Sequence, residues 1–115
     1  MEPKAVAKAK IKYIRVTPRK MRVVTDLIRG RMVDEALSTL AFTHRRATRF
    51  LKKLLESAIA NAKTKPNVDV DNLYVARALV EQGPTLRRFL PRAMGRATRV
   101  LKKTCHVQLE LAELV

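Results

Sequence analysis

The alternation of polar and apolar residues near the start of the chain predicts a half-buried β-strand over residues 8–16. Ala9, Ile11 and Tyr13 fall on one face, and lysines fall between them on the other. Successive side chains of a strand point to opposite sides, so this spacing gives an apolar face and a basic face. We therefore expect a strand that packs on a core with one face and carries lysines on the other.

Helical spacing replaces this alternation after Thr17 and predicts three helices. Thr17-Pro18 is typical of a helix start, because threonine caps the first turn and proline lacks the N–H that would go unpaired there. Gly30 is typical of the end of that helix. Asp34-Glu35 opens a short second helix, where acidic side chains match the positive end of the helix dipole.

The third helix is predicted from about His44 to Lys63, with Thr43 as its N-cap. Apolar residues recur along it at spacings of three and four, as in a helix that packs one stripe against a core. The stripe consists of Ala47, Phe50, Leu51, Leu54, Leu55, Ala58, Ile59 and Ala62. We therefore expect this to be the main core helix.

Two later stretches, residues 68–80 and 100–112, alternate like strands. One face of the first carries Val68, Val70, Tyr74, Ala76, Ala78 and Val80, and one face of the second carries Cys105, Val107, Leu109 and Leu111. The order strand, three helices, strand, long connection, strand predicts an α+β fold. The last two strands pair antiparallel and form, with the first, a small three-stranded sheet that carries the helices on one face. We expect residues 1–115 to be a single domain.

The connection between these two strands is the most basic stretch of the chain. Its cations are Arg87, Arg88, Arg92, Arg96, Arg99, Lys102 and Lys103, and no acidic residue occurs between Glu81 and Glu110. Glycines and prolines interrupt it, which disfavours one continuous helix or strand. Burying unpaired charge is costly, so residues 81–103 are expected to form an extended basic hairpin arm that meets a polyanion.

The overall charge points to the same class of partner. Lysine and arginine number 25 against 10 aspartates and glutamates, which gives a formal net charge of +15. Hydrophobic residues make up 47% of the chain, enough for a folded core, so the chain is not a disordered basic tail. Nucleic acid is the partner that this charge favours. A membrane-surface protein would need a cationic amphipathic helix with bulky apolar anchors, whereas the highest charge density lies in the arm.

Cysteine content and apolar runs bear on the compartment. Cys105 is the single cysteine, so no internal disulfide forms and a reducing compartment is favoured. The apolar runs are too short to span a bilayer. The basic N-terminus lacks the apolar segment of a secretory signal.

We find no arrangement of residues that is typical of catalysis or cofactor binding. His44 and His106 are the only histidines, and neither stands at a spacing that suggests a nucleophile and its base. Cys105 is interpreted as a core residue. The pair Asp69 and Asp71 admits a metal or acid–base role, but without a third ligand a solvated strand start is favoured. We therefore expect no enzyme activity, catalytic residue, cofactor or metal.

Contacts with nucleic acid are expected to run through phosphates, sugars and shape. Arg19, Lys20 and Arg22 crowd the first turn of the first helix, where cations oppose the helix dipole. Two interpretations remain: the cations serve an anionic ligand, or they form a solvated basic turn. Aromatic residues are few and most fall on apolar stripes, so no base-stacking platform is predicted. Phe89 and Leu90 either wedge against bases or form a small cluster within the arm.

Three blocks of sequence occur in a distinctive order: Thr17-Pro18-Arg19-Lys20 with Asp26-Leu27-Ile28-Arg29-Gly30, then Ser57-Ala58-Ile59-Ala60-Asn61-Ala62, then Gly83-Pro84-Thr85-Leu86-Arg87-Arg88 with Pro91-Arg92-Ala93-Met94-Gly95-Arg96-Ala97. They resemble the family twenty-two protein of the large ribosomal subunit in its bacterial-type form. The resemblance spans the chain from about Ala9 to Glu113.

This resemblance implies three helices on a three-stranded antiparallel sheet with a very long β-hairpin. It implies binding to several domains of large-subunit (23S-type) rRNA and support of assembly. The hairpin would line the nascent-peptide exit tunnel and narrow it together with the family four protein. The implied partners are thus rRNA, neighbouring large-subunit proteins including the family four protein, and the nascent peptide, with no membrane. The implied location is the cytoplasm, with an organellar ribosome as the alternative.

Charge pattern and resemblance together assign two sets of residues. The expected rRNA-binding residues are Lys10, Lys12, Arg15, Arg19, Lys20, Arg22, Arg29, Arg31, Arg99, Lys102, Lys103, Thr104 and His106. The expected tunnel hairpin consists of Leu86, Arg87, Arg88, Phe89, Leu90, Pro91, Arg92, Ala93, Met94, Gly95 and Arg96. The alternative function is a non-specific RNA chaperone or nucleic-acid-binding protein, which would use the same charge without a fixed address.

Overall fold

The structure is a computed structural model that describes residues 5–91, 95 and 97–113. Its elements in chain order are β1 (Ala7–Ile14), α1 (Pro18–Ile28), α2 (Val33–Phe42), α3 (Arg46–Lys63), a 3-10 turn (Val70–Asn72), β2 (Leu73–Gln82), β3 (Leu86–Pro91), β4 (Ala97–Lys102) and β5 (Cys105–Glu113). This order confirms the predicted α+β fold of three helices, a small antiparallel sheet and a hairpin.

The last strand is the centre of the main sheet, whose order is β1-β5-β2 with both pairings antiparallel. Its apolar residues Val107, Leu109 and Leu111 are fully buried. The helices contribute Met21, Ile28, Leu51 and Leu55 to the same core, together with smaller residues of the α3 stripe. The predicted stripe of α3 is buried throughout, apart from the half-buried Phe50.

Both ends of α1 follow the prediction. Thr17 Oγ1 accepts a hydrogen bond from the Lys20 N–H at 3.4 Å, and Pro18 is the first helical residue. Gly30 has a left-handed backbone (φ +80°), and its N–H donates to the Val75 carbonyl at 2.9 Å. The end of α1 is thereby tied to β2, because this conformation is easy only for glycine.

The predicted N-cap of α3 is wrong. Thr43 ends α2 instead, where its hydroxyl donates to the Thr39 carbonyl at 2.7 Å. The third helix begins at Arg46, after an extended Arg45 that makes no side-chain capping bond. A threonine hydroxyl bonds a preceding carbonyl as readily as it caps a following turn, so Thr43 fits either role.

The predicted strand over residues 68–80 begins later and has different faces. Its first part is the 3-10 turn, and the strand itself is β2. Leu73, Val75 and Ala78 are buried, whereas Tyr74 and Ala76 are only half-buried. The register against β5 shifts between Val75 and Arg77. Such a bulge inserts one extra residue, so the inward face changes parity and simple alternation fails.

The predicted inward direction of Tyr13 is also wrong. Its side chain is 64% exposed, and its backbone has φ +59°. The register between β1 and β5 shifts between Ile11 and Ile14, and Ile14 is the buried residue there. The irregular backbone therefore turns Tyr13 outward and returns Ile14 to the core.

The hairpin of β3 and β4 forms a two-stranded sheet of its own. Its pairing runs from Leu86 opposite Lys102 to Pro91 opposite Ala97. The molecule extends 66 Å along one axis and 25 Å along the other two, with a radius of gyration of 17.3 Å. A compact chain of this length would have a radius of about 13 Å. Within the described ranges, none of the helices is long and apolar enough to cross a membrane.

Candidate nucleic-acid interface

A cationic cleft lies where the base of the hairpin meets the starts of α1 and α3. Its volume is about 440 Å³. The cations that line it are Arg15, Lys20, Arg45, Arg46, Lys102 and Lys103. Because they come from three separate parts of the chain, the fold and not the sequence order assembles this concentration of charge.

The cleft charge is not offset by nearby acids on the same helices. Neither α1 nor α3 has an acidic residue in its first turn, although acids are stabilising there. Cations and helix N-termini instead reinforce one another, since both carry positive charge. Anions are attracted to such a site by side-chain charge and by backbone N–H groups together.

The structure brings together part of the predicted rRNA-binding set. Arg15, Lys20, Lys102 and Lys103 all line the cleft. Arg45 and Arg46 line it too and were not among the predicted rRNA-binding residues. The sequence feature that could have predicted them is the one used for Arg19 and Lys20, namely cations without acids at the start of a helix. It was not applied to Arg45 and Arg46 because the helix was predicted to begin at His44.

Other members of the set lie elsewhere and engage neighbours. Arg29 pairs with Asp26 and donates to the Ala78 carbonyl at 2.8 Å. Lys10 lies 4.0 Å from Glu81, and Arg22 donates to the Val80 carbonyl at 3.5 Å. These cations help to hold α1 and the strand edges as well as contributing to surface charge.

The remaining predicted cations are placed by the elements that carry them. Arg31 is exposed just beyond the C-terminal end of α1, about 16 Å along the helix from the cleft side. Lys12 is exposed near the end of β1, and Arg19 is exposed in the first turn of α1. Arg99 is on β4, opposite Phe89. Exposed basic residues therefore also occur near the end of β1 and at both ends of α1.

Two predicted contact residues form the base of the arm. Thr104 is buried, and its hydroxyl donates to the Pro84 carbonyl at 2.5 Å. His106 Nδ1 accepts the Tyr13 N–H at 3.0 Å, and the two rings meet edge to face with centroids 4.9 Å apart. The Thr104 bond therefore holds the base of the hairpin, whereas the His106 contacts join β5 to the end of β1.

The predicted tunnel hairpin is described only in part. Leu86 to Pro91 form β3, and Gly95 has a left-handed backbone with φ +74°. Arg92, Ala93, Met94 and Arg96 lie outside the described residues. On the described part, the large apolar side chains of Leu86 and Leu101 are exposed.

Most aromatic residues were expected on apolar stripes, and two of them are exceptions. Phe42 is 82% exposed at the end of α2, and Tyr13 is 64% exposed. Amphipathic periodicity could not place Phe42, because α2 ends at this residue. Exposed aromatic rings are surfaces on which unpaired bases can stack.

The residues weighed for catalysis have structural surroundings. Asp69 caps the 3-10 turn, where its carboxylate accepts from the Asp71 N–H at 3.1 Å and from the Asn72 amide at 2.8 Å. Cys105 is fully buried, and burial raises the pKa of its thiol. Across the part of the chain that the structure describes, no three His, Cys, Asp or Glu side chains are grouped as a metal site would require.

Fold and charge together define a small basic α+β protein with a hairpin arm and a cationic cleft at the base of that arm. The family model of ribosomal protein L22p/L17e matches residues 9–112, and the chain belongs to this family. It is thus a ribosomal protein and not an enzyme, which confirms the resemblance seen in the sequence.

Several curated relatives are similar over nearly their full length. The large ribosomal subunit protein uL22 of Myxococcus xanthus is 54% identical over 107 residues, covering 91% of this chain and 94% of that protein. The proteins of the same name from a Thermoanaerobacter species and from Clostridium novyi are 49% and 50% identical over 113 residues. Each of these two alignments covers 98% of both chains.

Proposed function

We propose that this chain is a structural constituent of the large ribosomal subunit in a bacterial-type, cytoplasmic ribosome, and that it binds 23S-type rRNA. Its family and the names of its relatives support the ribosomal role. The cationic cleft is the observation that carries the rRNA-binding part. Four of the expected rRNA-binding residues converge there with two further arginines.

The cleft fits an RNA backbone because of how its charges are distributed. Six cations line one space of about 440 Å³, and the first turns of two helices border it without an acid. Successive phosphates of an RNA strand are a few ångströms apart, so neighbouring cations contact neighbouring phosphates. Basic residues outside the cleft, such as Lys12 and Arg31, provide contacts with other RNA segments during assembly.

The hairpin is the second part of the proposal. Leu86 to Arg96 line the nascent-peptide exit tunnel, near the family four protein and the nascent peptide. The elongated shape of the molecule supports this, because a two-stranded arm reaches well beyond the core. The exposed Leu86 and Leu101 supply apolar surface along an otherwise basic arm. Residues 81–103 therefore serve as the arm of a single-domain protein.

Two experiments test these parts separately. Replacing Lys102 and Lys103 by glutamine should weaken binding to large-subunit rRNA by about tenfold or more, because two phosphate contacts are lost. The matched control replaces Lys53 and Lys63, two exposed lysines of α3 outside the cleft. Equal affinities of the two double variants would contradict the role of the cleft.

The tunnel part is tested by cross-linking in translating ribosomes. A photo-crosslinking amino acid at position 93 should capture the nascent peptide and the family four protein. The same amino acid at Glu56, which is exposed on α3, is the control. Cross-links to nascent peptide that are equally frequent from both positions would contradict the placement of the arm.

A further inference from the structure

A second cationic cavity lies at the corner where α2 ends and α3 begins. Its volume is about 560 Å³, within the range of small-ligand sites. The cations that line it are Arg45, Arg46, Arg49 and Lys52. Arg49 and Lys52 are three residues apart on α3 and so lie on the same side of the helix. The corner thus adds two cations of its own to the two that it shares with the cleft.

Thr48, one of the residues that line the same cavity, has a buried hydroxyl without a partner. Thr48 is 5% exposed, and its Oγ1 has no hydrogen-bond partner among the described residues. Burying a hydroxyl without a hydrogen bond destabilises a protein, so such groups usually have a partner. A phosphate oxygen bound in this cavity would supply the missing acceptor.

The backbone at the corner also favours an anion. Arg45, the N-cap residue of α3, makes no side-chain capping bond, so no side-chain acceptor from that residue occupies the first-turn N–H groups. The end of α2 would oppose an anion through its free carbonyls. There the Thr43 hydroxyl donates to the Thr39 carbonyl and its N–H donates to the Leu40 carbonyl, which reduces that effect.

An exposed aromatic residue, Phe42, stands in the chain between two residues that line the cavity, although it does not line the cavity itself. Phe42 is 82% exposed, and its chain neighbours Ala41 and Thr43 both line the cavity. A nucleotide has a phosphate and a base a few ångströms apart, so a phosphate in the cavity would leave its base near the chain position of Phe42. Unpaired bases stack on such rings while cations hold the backbone.

We propose that this corner binds one unpaired nucleotide of RNA, with its phosphate at the start of α3 and its base on Phe42. Arg45 and Arg46 hold the phosphate charge, and the Thr48 hydroxyl donates to a phosphate oxygen. The inference rests on the proposed function, since it assumes an RNA partner. It goes further by assigning a separate contact that involves a base.

The test uses the chain of 115 residues with large-subunit rRNA and a labelled oligouridylate of about eight nucleotides as RNA probes, and polyglutamate as a non-nucleotide polyanion. Phe42→Leu should bind the oligouridylate about tenfold more weakly, because stacking is lost. Its dependence on salt should not change, since no phosphate contact is removed. Phe42→Tyr keeps the ring and should bind like the unaltered chain.

Thr48→Val replaces the hydroxyl by a methyl group of similar size. The oligouridylate affinity should fall about fivefold, while the Tm of the free protein should stay the same or rise. If the hydroxyl makes no contact with the ligand, Thr48→Val should change the Tm without changing the oligouridylate affinity. That outcome would overturn the proposal.

Lys52 and Lys53 provide a matched pair for the phosphate part. Both are exposed on α3, but only Lys52 lines the cavity. Lys52→Gln should reduce the slope of log K against log salt by about 0.7, the value of one single-strand phosphate contact, more than Lys53→Gln does. Equal slopes for the two variants would contradict the proposal.

The nucleotide site at the corner and the proposed function of the chain are tested by different outcomes. If the unaltered chain binds rRNA but the Phe42, Thr48 and Lys52 variants bind both probes as it does, only the corner is wrong. If the unaltered chain does not bind rRNA, the proposed function is wrong. Polyglutamate is a polyanion without bases. If Phe42→Leu weakens its binding as much as that of the oligouridylate, the corner binds acidic chains and the nucleotide site is wrong.

Discussion

The backbone N–H of Gly83 donates to the carbonyl oxygen of Thr104 at 3.0 Å, and this bond closes the base of the arm. A Cβ at position 83 would lie 2.6 Å from Thr104 Oγ1 and 3.2 Å from His106 Cε1. The Thr104 hydroxyl is itself held by the Pro84 carbonyl. Close packing at this point therefore sets the direction in which the arm leaves the sheet.

Gly83→Ala should destabilise the protein by about 1–2 kcal/mol, because the added methyl displaces the Thr104 hydroxyl from Pro84. Urea unfolding measures the change in the free energy of unfolding. The same substitution in a Thr104→Ala background should cost less, since the obstructing hydroxyl is gone. Equal costs in both backgrounds would show that the contact with Thr104 is not the cause.

Glu110 links the three strands of the main sheet. Its side chain is 9% exposed and lies 3.6 Å from Lys8 Nζ and 3.7 Å from Arg77 Nε. Glu110→Gln should lower the free energy of unfolding by about 1 kcal/mol, because two cations lose a partly buried partner. The exposed Glu81 is the control, and Glu81→Gln should cost under about 0.5 kcal/mol. Similar costs for the two variants would contradict a special role for Glu110.

Burial raises the pKa of the Cys105 thiol above its ordinary value of 9.0, and the charge of Arg22 lowers it by a smaller amount. Above that ordinary value the unfolded chain releases the thiol proton while the folded chain keeps it. The contribution of the thiol to stability is therefore fully present below about pH 9 and falls as the pH rises through the raised pKa.

Cys105→Ala isolates this effect from other titrations. The difference in free energy of unfolding between the unaltered chain and Cys105→Ala should be constant below about pH 8. Toward about pH 10 the unaltered chain should lose stability relative to Cys105→Ala. Urea titrations across that range measure it. A difference that is independent of pH would contradict the assignment.

Deletion of residues 87–96 should leave the core folded, because the main sheet pairs β5 with β1 and β2 and does not include β3 or β4. The Tm should change by only a few degrees, and the shortened chain should still join the large subunit. Tunnel-dependent behaviour, such as cross-linking to the nascent peptide, should be lost. A deletion variant that fails to fold would count against the division into core and arm.

Periodicity predicted the elements well because most of them have one buried face. The spacing of apolar residues predicted the stripe of α3 and the alternation of β5, and the residue types of Thr17-Pro18 predicted the start of α1. The prediction failed at Tyr13 and along β2, where an irregular backbone and a bulge change which residues point inward. A bulge depends on pairing with a partner strand, which the order of residues along one strand does not display.

The cleft was predicted only in part, because it is a product of tertiary structure. Lys20 and Lys102 are far apart in sequence and meet only when the base of the arm packs near the starts of α1 and α3. Arg45 and Arg46 were not predicted as site residues, because the start of α3 was placed two residues too early. Thr104 and His106 were predicted as contact residues, but the bond of Thr104 to Pro84 at the base of the arm and that of His106 to Tyr13 of β1 depend on the tertiary structure.

The most direct test of the central claim is a salt titration of binding to large-subunit rRNA with excess bulk tRNA as competitor. Binding through phosphates predicts a steep salt dependence, with a slope of log K against log salt of about −6 to −7 if about eight phosphates are contacted. Binding to the rRNA should also be retained in excess tRNA, since a ribosomal component binds a specific site on its RNA. If the slope is equally steep but excess tRNA abolishes binding to the rRNA, the claim is contradicted and a non-specific RNA chaperone is favoured.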